Sequence, residues 1–149
     1  MTALHVVVPG TPQGQGRLTT YGAGRTGHSN AKTLLPWRAL VGAYTRRAMH
    51  ARAYYWGGTW PLTGPVELSL RFYMPKPRTV RRERPSVPPD LDHLCRAIGD
   101  ALTKAGAVED DARIVALHAA KFYPTAGHRV HMDRPGCVID LSTVTEVTT

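Results

Sequence analysis

One stretch constrains this chain more than any other. Leu91, Leu94, Ile98, Ala101, Leu102 and Ala105 recur at the 3.6-residue period of an amphipathic helix. Gly106 follows as a natural helix terminator. Pro88 and Pro89 come before it, so the chain enters the helix in an extended conformation. Asp90 and Asp92 stand at the entrance, Arg96 and Asp100 lie along the helix, and Asp110 and Asp111 follow its exit. An apolar stripe of this length must be buried, so these charges are strung along an element that a core holds in place.

The remainder is strongly basic. Lys and Arg number 19 against 11 Asp and Glu, a formal net charge of +8. Acids gathered in one place on a cationic protein suggest a divalent metal held against a polyanion. A surface of this charge attracts phosphate backbones and speeds encounter with them. A basic protein with no such partner is the alternative, and charge alone does not separate the two. The 149 residues fit one domain, residues 1–149, with a real core. No apolar run approaches the ~20 residues of a membrane helix, and residues 1–9 carry no positive leader, so neither a span nor a signal peptide is expected. Cys95 and Cys137 are far apart and form no CxxC pair, which points to a reducing cytoplasm rather than a disulfide framework.

In chain order, residues 4–8 are β-branched and apolar and read as a first strand. Residues 10–30 hold six glycines with Arg17 and Arg25 and read as a flexible basic loop, either a flap over nucleic acid or a plain mobile segment. They lack the GxxxxGK[ST] pattern of a phosphate-cradling loop. Residues 34–52 read as a helix, with Pro36 in its first turn. Leu40, Val41, Tyr44 and Ala48 face its core side, and Arg38, Arg46, Arg47 and Arg52 line the other. Residues 54–61 read as an aromatic turn. Residues 66–74 alternate as a strand. Residues 75–89 hold five prolines and five Lys or Arg, a stiff cationic connector beside the acids. Strands are expected at 114–123 and 136–144, with residues 144–149 a frayed tail. Together these elements give an α+β domain with one mixed sheet of four to five strands and two main helices.

Asp90 and Asp92 diverge on a helix but point the same way on an extended segment, so both converge where the helix begins. Capping of free N–H groups is the alternative role for either one. Mg²⁺ takes hard oxygen ligands and is held by one or two carboxylates plus substrate phosphate. Asp92, Arg96 and Asp100 share a helix face, either as an ion-pair ladder or with Arg96 steadying a phosphate's developing charge. Residues 92–105 span ~20 Å as a helix. Asp111 therefore starts far from Asp92, and either the chain folds back by Ile114 or Asp111 reaches a partner's site in a symmetric dimer. His128 and His131 are a weaker metal pair, since they face opposite ways on a strand. His93 and His118 read as satisfied or exposed histidines, and Cys95 as core.

The string Asp90-Leu91-Asp92-His93-Leu94-x-Arg96-x-x-x-Asp100-Ala101-Leu102, followed by Ala105-Gly106 and Asp110-Asp111-Ala112-Arg113-Ile114, resembles the RusA family of Holliday junction resolvases. The resemblance implies a RusA-like fold and a homodimeric endodeoxyribonuclease that uses Mg²⁺, with Mn²⁺ a substitute. It implies paired symmetric nicks at a four-way DNA junction, in recombination and repair. A DNA-binding module with lapsed catalysis and a metal-dependent nuclease of other branched DNA are the alternatives. Asp90, Asp92 and Asp111 fall on the family's metal-binding aspartates, and Arg96 falls on a lysine important for activity. Asp100 and Asp110 match supporting acids. His93, Arg96 and Arg113 stand where Asn, Lys and Gln are usual. DNA contacts are expected from Arg17, Lys76, Arg78, Arg81, Arg82, Arg84 and Lys121, the last of which otherwise flanks the sheet edge.

Overall fold

The computed structural model of the protein describes residues 2–125, 127 and 131–147. His128, half of the histidine pair considered above, lies outside the described residues. So do residues 148 and 149 of the expected tail, and residues 144–147 form no helix or strand.

Strands β1 (Thr2–Pro9), β4 (Val66–Tyr73), β5 (Ile114–Phe122) and β6 (Gly136–Thr143) form one sheet in the order β1-β6-β4-β5. β6 runs antiparallel to β1 and β4, while β4 and β5 are parallel, so the sheet is mixed. Alternation along the strands separates two faces. Leu4, Val6 and Val8 of β1 are buried with Leu68, Leu70 and Phe72 of β4 and Cys137, Ile139 and Leu141 of β6. On that face lie helices α1 (Ala31–Trp56) and α2 (Leu91–Ala105). The opposite face carries polar groups, among them the pairs His5–Asp140 and His118–Glu67.

α2 follows the expected helix closely. Leu94, Ile98 and Leu102 are completely buried, each contributing about 2 kcal/mol of apolar burial. Isolated helices of this length are marginal in water, so packing against α1 and the sheet holds it together. It ends at Gly106, whose φ of 83° lets its N–H turn back to the carbonyls of Leu102 and Thr103.

α1 departs from expectation at both ends. It begins at Ala31, with the Thr33 and Leu34 N–H groups bonded to the Asn30 carbonyl, so Pro36 sits inside the helix rather than in its first turn. It also runs through Tyr54, Tyr55 and Trp56, which stand exposed on its last turn instead of forming an aromatic loop. Gly57, with φ of 73°, stops it. Residues 10–30 differ too. Thr19, Thr20 and Tyr21 favour extended structure, and strands β2 (Leu18–Tyr21) and β3 (Arg25–His28) pair as an antiparallel hairpin. Ala23 and Gly24 supply the positive φ angles of its turn.

Replacing Gly106 with alanine forces a Cβ into the left-handed region. Gly106→Ala is expected to destabilise the fold by about 1 kcal/mol, read as a lower urea midpoint at unchanged m-value.

Candidate active site

Prolines at 88 and 89 keep the entry to α2 extended, and Asp90 takes φ −68° and ψ 144° as its N-cap residue. The Asp90 carbonyl accepts the first helical bond, from the Leu94 N–H at 3.1 Å. Its carboxylate makes no capping bond, so capping does not occupy it. Asp92 follows in the first turn. Between them reaches the imidazole of His93, with Nδ1 4.0 Å from an Asp90 oxygen and Nε2 3.9 Å from an Asp92 oxygen. One donor atom from each of the three lies within 4.8 Å of the others, and no other such group of three exists among the described residues. Two hard oxygens and a borderline nitrogen suit a divalent cation. All three side chains are at least 44% exposed, which leaves room for water and a phosphate.

From Asp92 a cleft of about 390 Å³ runs along α2 to the start of β5. Asp92, Arg96 and Asp100 line one side and Asp111 lines it from beyond the helix. The chain therefore folds back within one molecule. Leu62 clamps the return with two backbone bonds, its N–H to the Ala107 carbonyl at 2.9 Å and its carbonyl to the Glu109 N–H at 3.0 Å. A single turn of 3-10 helix, Asp111–Arg113, then leads into β5. Asp111 shares the cleft with Asp92 without joining the tight group of Asp90, Asp92 and His93.

The ion-pair ladder, one of the two readings of Asp92, Arg96 and Asp100, does not form among the described residues. Among the described residues Arg96 has no carboxylate within 4.0 Å, and Asp100 pairs instead with Arg38 at 3.9 Å. An exposed guanidinium thus stands free in an acid-lined cleft. Asp110 is engaged differently, accepting the Ala112 N–H at 2.8 Å as a cap. Arg113 pairs with Glu109 at 2.6 Å.

The cations of the connector divide into two sets. Arg82 donates to the Tyr123 hydroxyl at 3.1 Å, Arg84 lies 4.2 Å over the Phe122 ring, and Lys76 lies 5.6 Å over the Tyr123 ring. Lys121 donates to the carbonyls of Val87 and Pro89. Arg17, Arg78 and Arg81 are exposed, with side chains that make no hydrogen bond or ion pair among the described residues.

Two residues of the site escape a reading by residue type. His93 was expected to be satisfied or merely exposed, and only the entry geometry brings it between the aspartates. Gln15 gives no sequence signal. Its backbone N–H bonds the His93 carbonyl at 3.0 Å, and its buried Oε1 has no hydrogen-bond partner among the described residues. The neighbouring Gly14 makes this approach feasible, since a Cβ there would sit 3.1 Å from those of His93 and Pro89. Cys95 lies at the cleft floor. Burial first, and then the Asp92 carboxylate, push its thiol up to about 11.

The family model described as Endodeoxyribonuclease RusA matches residues 9–133, most of the chain. The chain belongs to the RusA family. It is 39% identical over 71 residues to the crossover junction endodeoxyribonuclease RusA of Escherichia coli K12, covering 48% of this chain and 52% of that protein. The RusA protein of Enterobacteria phage 82 matches to the same extent. YqaN of Bacillus subtilis, described as uncharacterized, is 31% identical over 74 residues, 42% of this chain and 51% of that one. The chain spans about half the length of these curated relatives.

Cys95 and Cys137 are both buried, and burial raises both thiols. Neither is expected to react with a thiol reagent in the native protein at pH 7.5 within minutes, because little thiolate exists below pH ~9 and both side chains are buried. Mass spectrometry should count two adducts promptly after unfolding in urea.

Proposed function

We propose that this chain is an endodeoxyribonuclease that resolves four-way DNA junctions by paired symmetric nicks, with Mg²⁺ or Mn²⁺ as cofactor. One observation carries the reading. In a chain of the RusA family, Asp92 of the Asp90–Asp92–His93 donor group also lines a cleft that holds Asp111 and an Arg96 with no ion-pair partner among the described residues. Asp90 and Asp92 would hold the cation, with Asp111 facing it across the cleft. When bound, the cation polarises the phosphodiester and offsets charge on the entering and leaving oxygens.

The protein's own groups do the rest. The carboxylates orient the attacking water in line with the scissile bond, leaving 5′-phosphate and 3′-hydroxyl ends. Arg96 offers a fixed cation to the non-bridging phosphate oxygens as negative charge develops. A guanidinium stays protonated at any working pH, so Arg96 stabilises charge and does not donate a proton. The free Arg17, Arg78 and Arg81 grip the duplex arms through their phosphates. Paired nicks require two clefts, which a two-fold homodimer supplies. Asp111 lies on the same cleft as Asp92 of its own chain, which supports a site that each protomer builds from its own acids. DNA as substrate puts the proposed place of action in the cytoplasm.

The competing reading is a junction-binding module without turnover, and Arg96 in place of the family lysine favours it. Labelled four-way, forked and linear DNA incubated with Mg²⁺ separates the readings. Symmetric products from the junction alone support resolution, and binding without product supports the module. Asp92→Asn is expected to lower junction cleavage more than about 100-fold while junction affinity in EDTA stays within twofold. A variant that still cuts in Mg²⁺ overturns the assignment. The imidazole nitrogen also favours Mn²⁺ over Mg²⁺. His93→Asn is expected to shrink the Mn²⁺ to Mg²⁺ affinity ratio by about tenfold, measured by calorimetric titration of the DNA-free protein.

A further inference from the structure

Lys121 is placed where a sheet-edge lysine has little reason to be. It pairs in register with Phe72 and so emerges on the core side of the sheet, half-buried. Its Nζ donates to the Val87 carbonyl at 2.7 Å and the Pro89 carbonyl at 2.8 Å, 34 and 32 residues earlier in the chain. Among the described residues no backbone N–H reaches either carbonyl outside the regular elements. Pro88 and Pro89 have no N–H with which to anchor this segment themselves. Pro89 immediately precedes Asp90. The neighbouring contacts act the same way, with Arg84 over Phe122, and Arg82 on the Tyr123 hydroxyl.

We propose that Lys121 is a positioning residue. Its ammonium ties the end of β5 to the last turn of the connector and so holds Asp90 and Asp92 where they can share one cation. It acts through two carbonyls and touches neither the cation nor DNA. The inference rests on the metal-dependent reading above for its consequence, though not for the brace itself. A phosphate contact, the role that residue type suggests, would require the ammonium to leave both carbonyls.

The test compares wild type with Lys121→Met and the milder Lys121→Gln, each verified as folded by circular dichroism. Hydrogen exchange in metal-free protein is expected to accelerate at residues 90–94 in both variants. Mn²⁺ affinity should fall about tenfold, and junction cleavage should recover to near the wild-type rate at saturating Mn²⁺. The salt dependence of junction binding in EDTA should not change. Exchange unchanged at residues 90–94 overturns the proposal. So does a salt slope reduced by about one, the mark of a lost phosphate contact. A wild type that takes up no Mn²⁺ sinks the cleavage reading instead, and exchange at residues 90–94 still decides the brace.

Discussion

The parallel pairing of β4 with β5 is the constraint from which the site follows. Parallel neighbours cannot be joined by a tight turn and need a crossover. Here the crossover is the proline-rich connector, α2 and the return through Leu62. α2 must run back against the strands, so its first residues lie level with the last residues of β5. That places Pro89, the residue before Asp90, against Lys121. The same reversal brings Asp111, at the start of β5, onto the cleft along α2. The acids come from two separated points of the sequence because the topology leaves them one place to meet.

Charge is divided between structure and surface in a way that net charge conceals. Within the connector, Arg82, Arg84 and Lys76 are engaged with the aromatic rings or hydroxyl of Phe122 and Tyr123, while Arg78 and Arg81 are exposed and make no such contact among the described residues. The engaged cations stiffen the approach to the acids. Arg96 belongs to neither group, since it has acids for neighbours and no ion-pair partner among the described residues, an arrangement that costs little only while the cleft remains wet.

Much of this was legible beforehand. The 3.6-residue repeat and Gly106 located α2, alternation located β4, and the strands expected at 114–123 and 136–144 match β5 and β6 to within a residue. The α+β class followed from that order. What escaped had physical reasons. β2 and β3 are four residues each, too short for periodicity to show, and most of the glycines of this segment lie before and between them. Pro36 misled because its fixed φ suits a first turn as well as an interior position that tolerates one missing bond. The route of Asp111 was left open between folding back and reaching a partner, because the reversal depends on the backbone clamp at Leu62, a long-range contact. His93, Gln15 and Lys121 drew their roles from tertiary neighbours, which no residue type reveals.

The connector also acts on a state the folded structure does not show. Pro75, Pro77, Pro85, Pro88 and Pro89 each restrict φ in the unfolded ensemble as they do in the native one. A segment without helix or strand would ordinarily surrender about 1–2 kcal/mol of backbone entropy per residue on ordering. Here part of that freedom is absent from the start. The approach to the acids therefore needs little ordering, and a few contacts from the end of one strand reach its final turn.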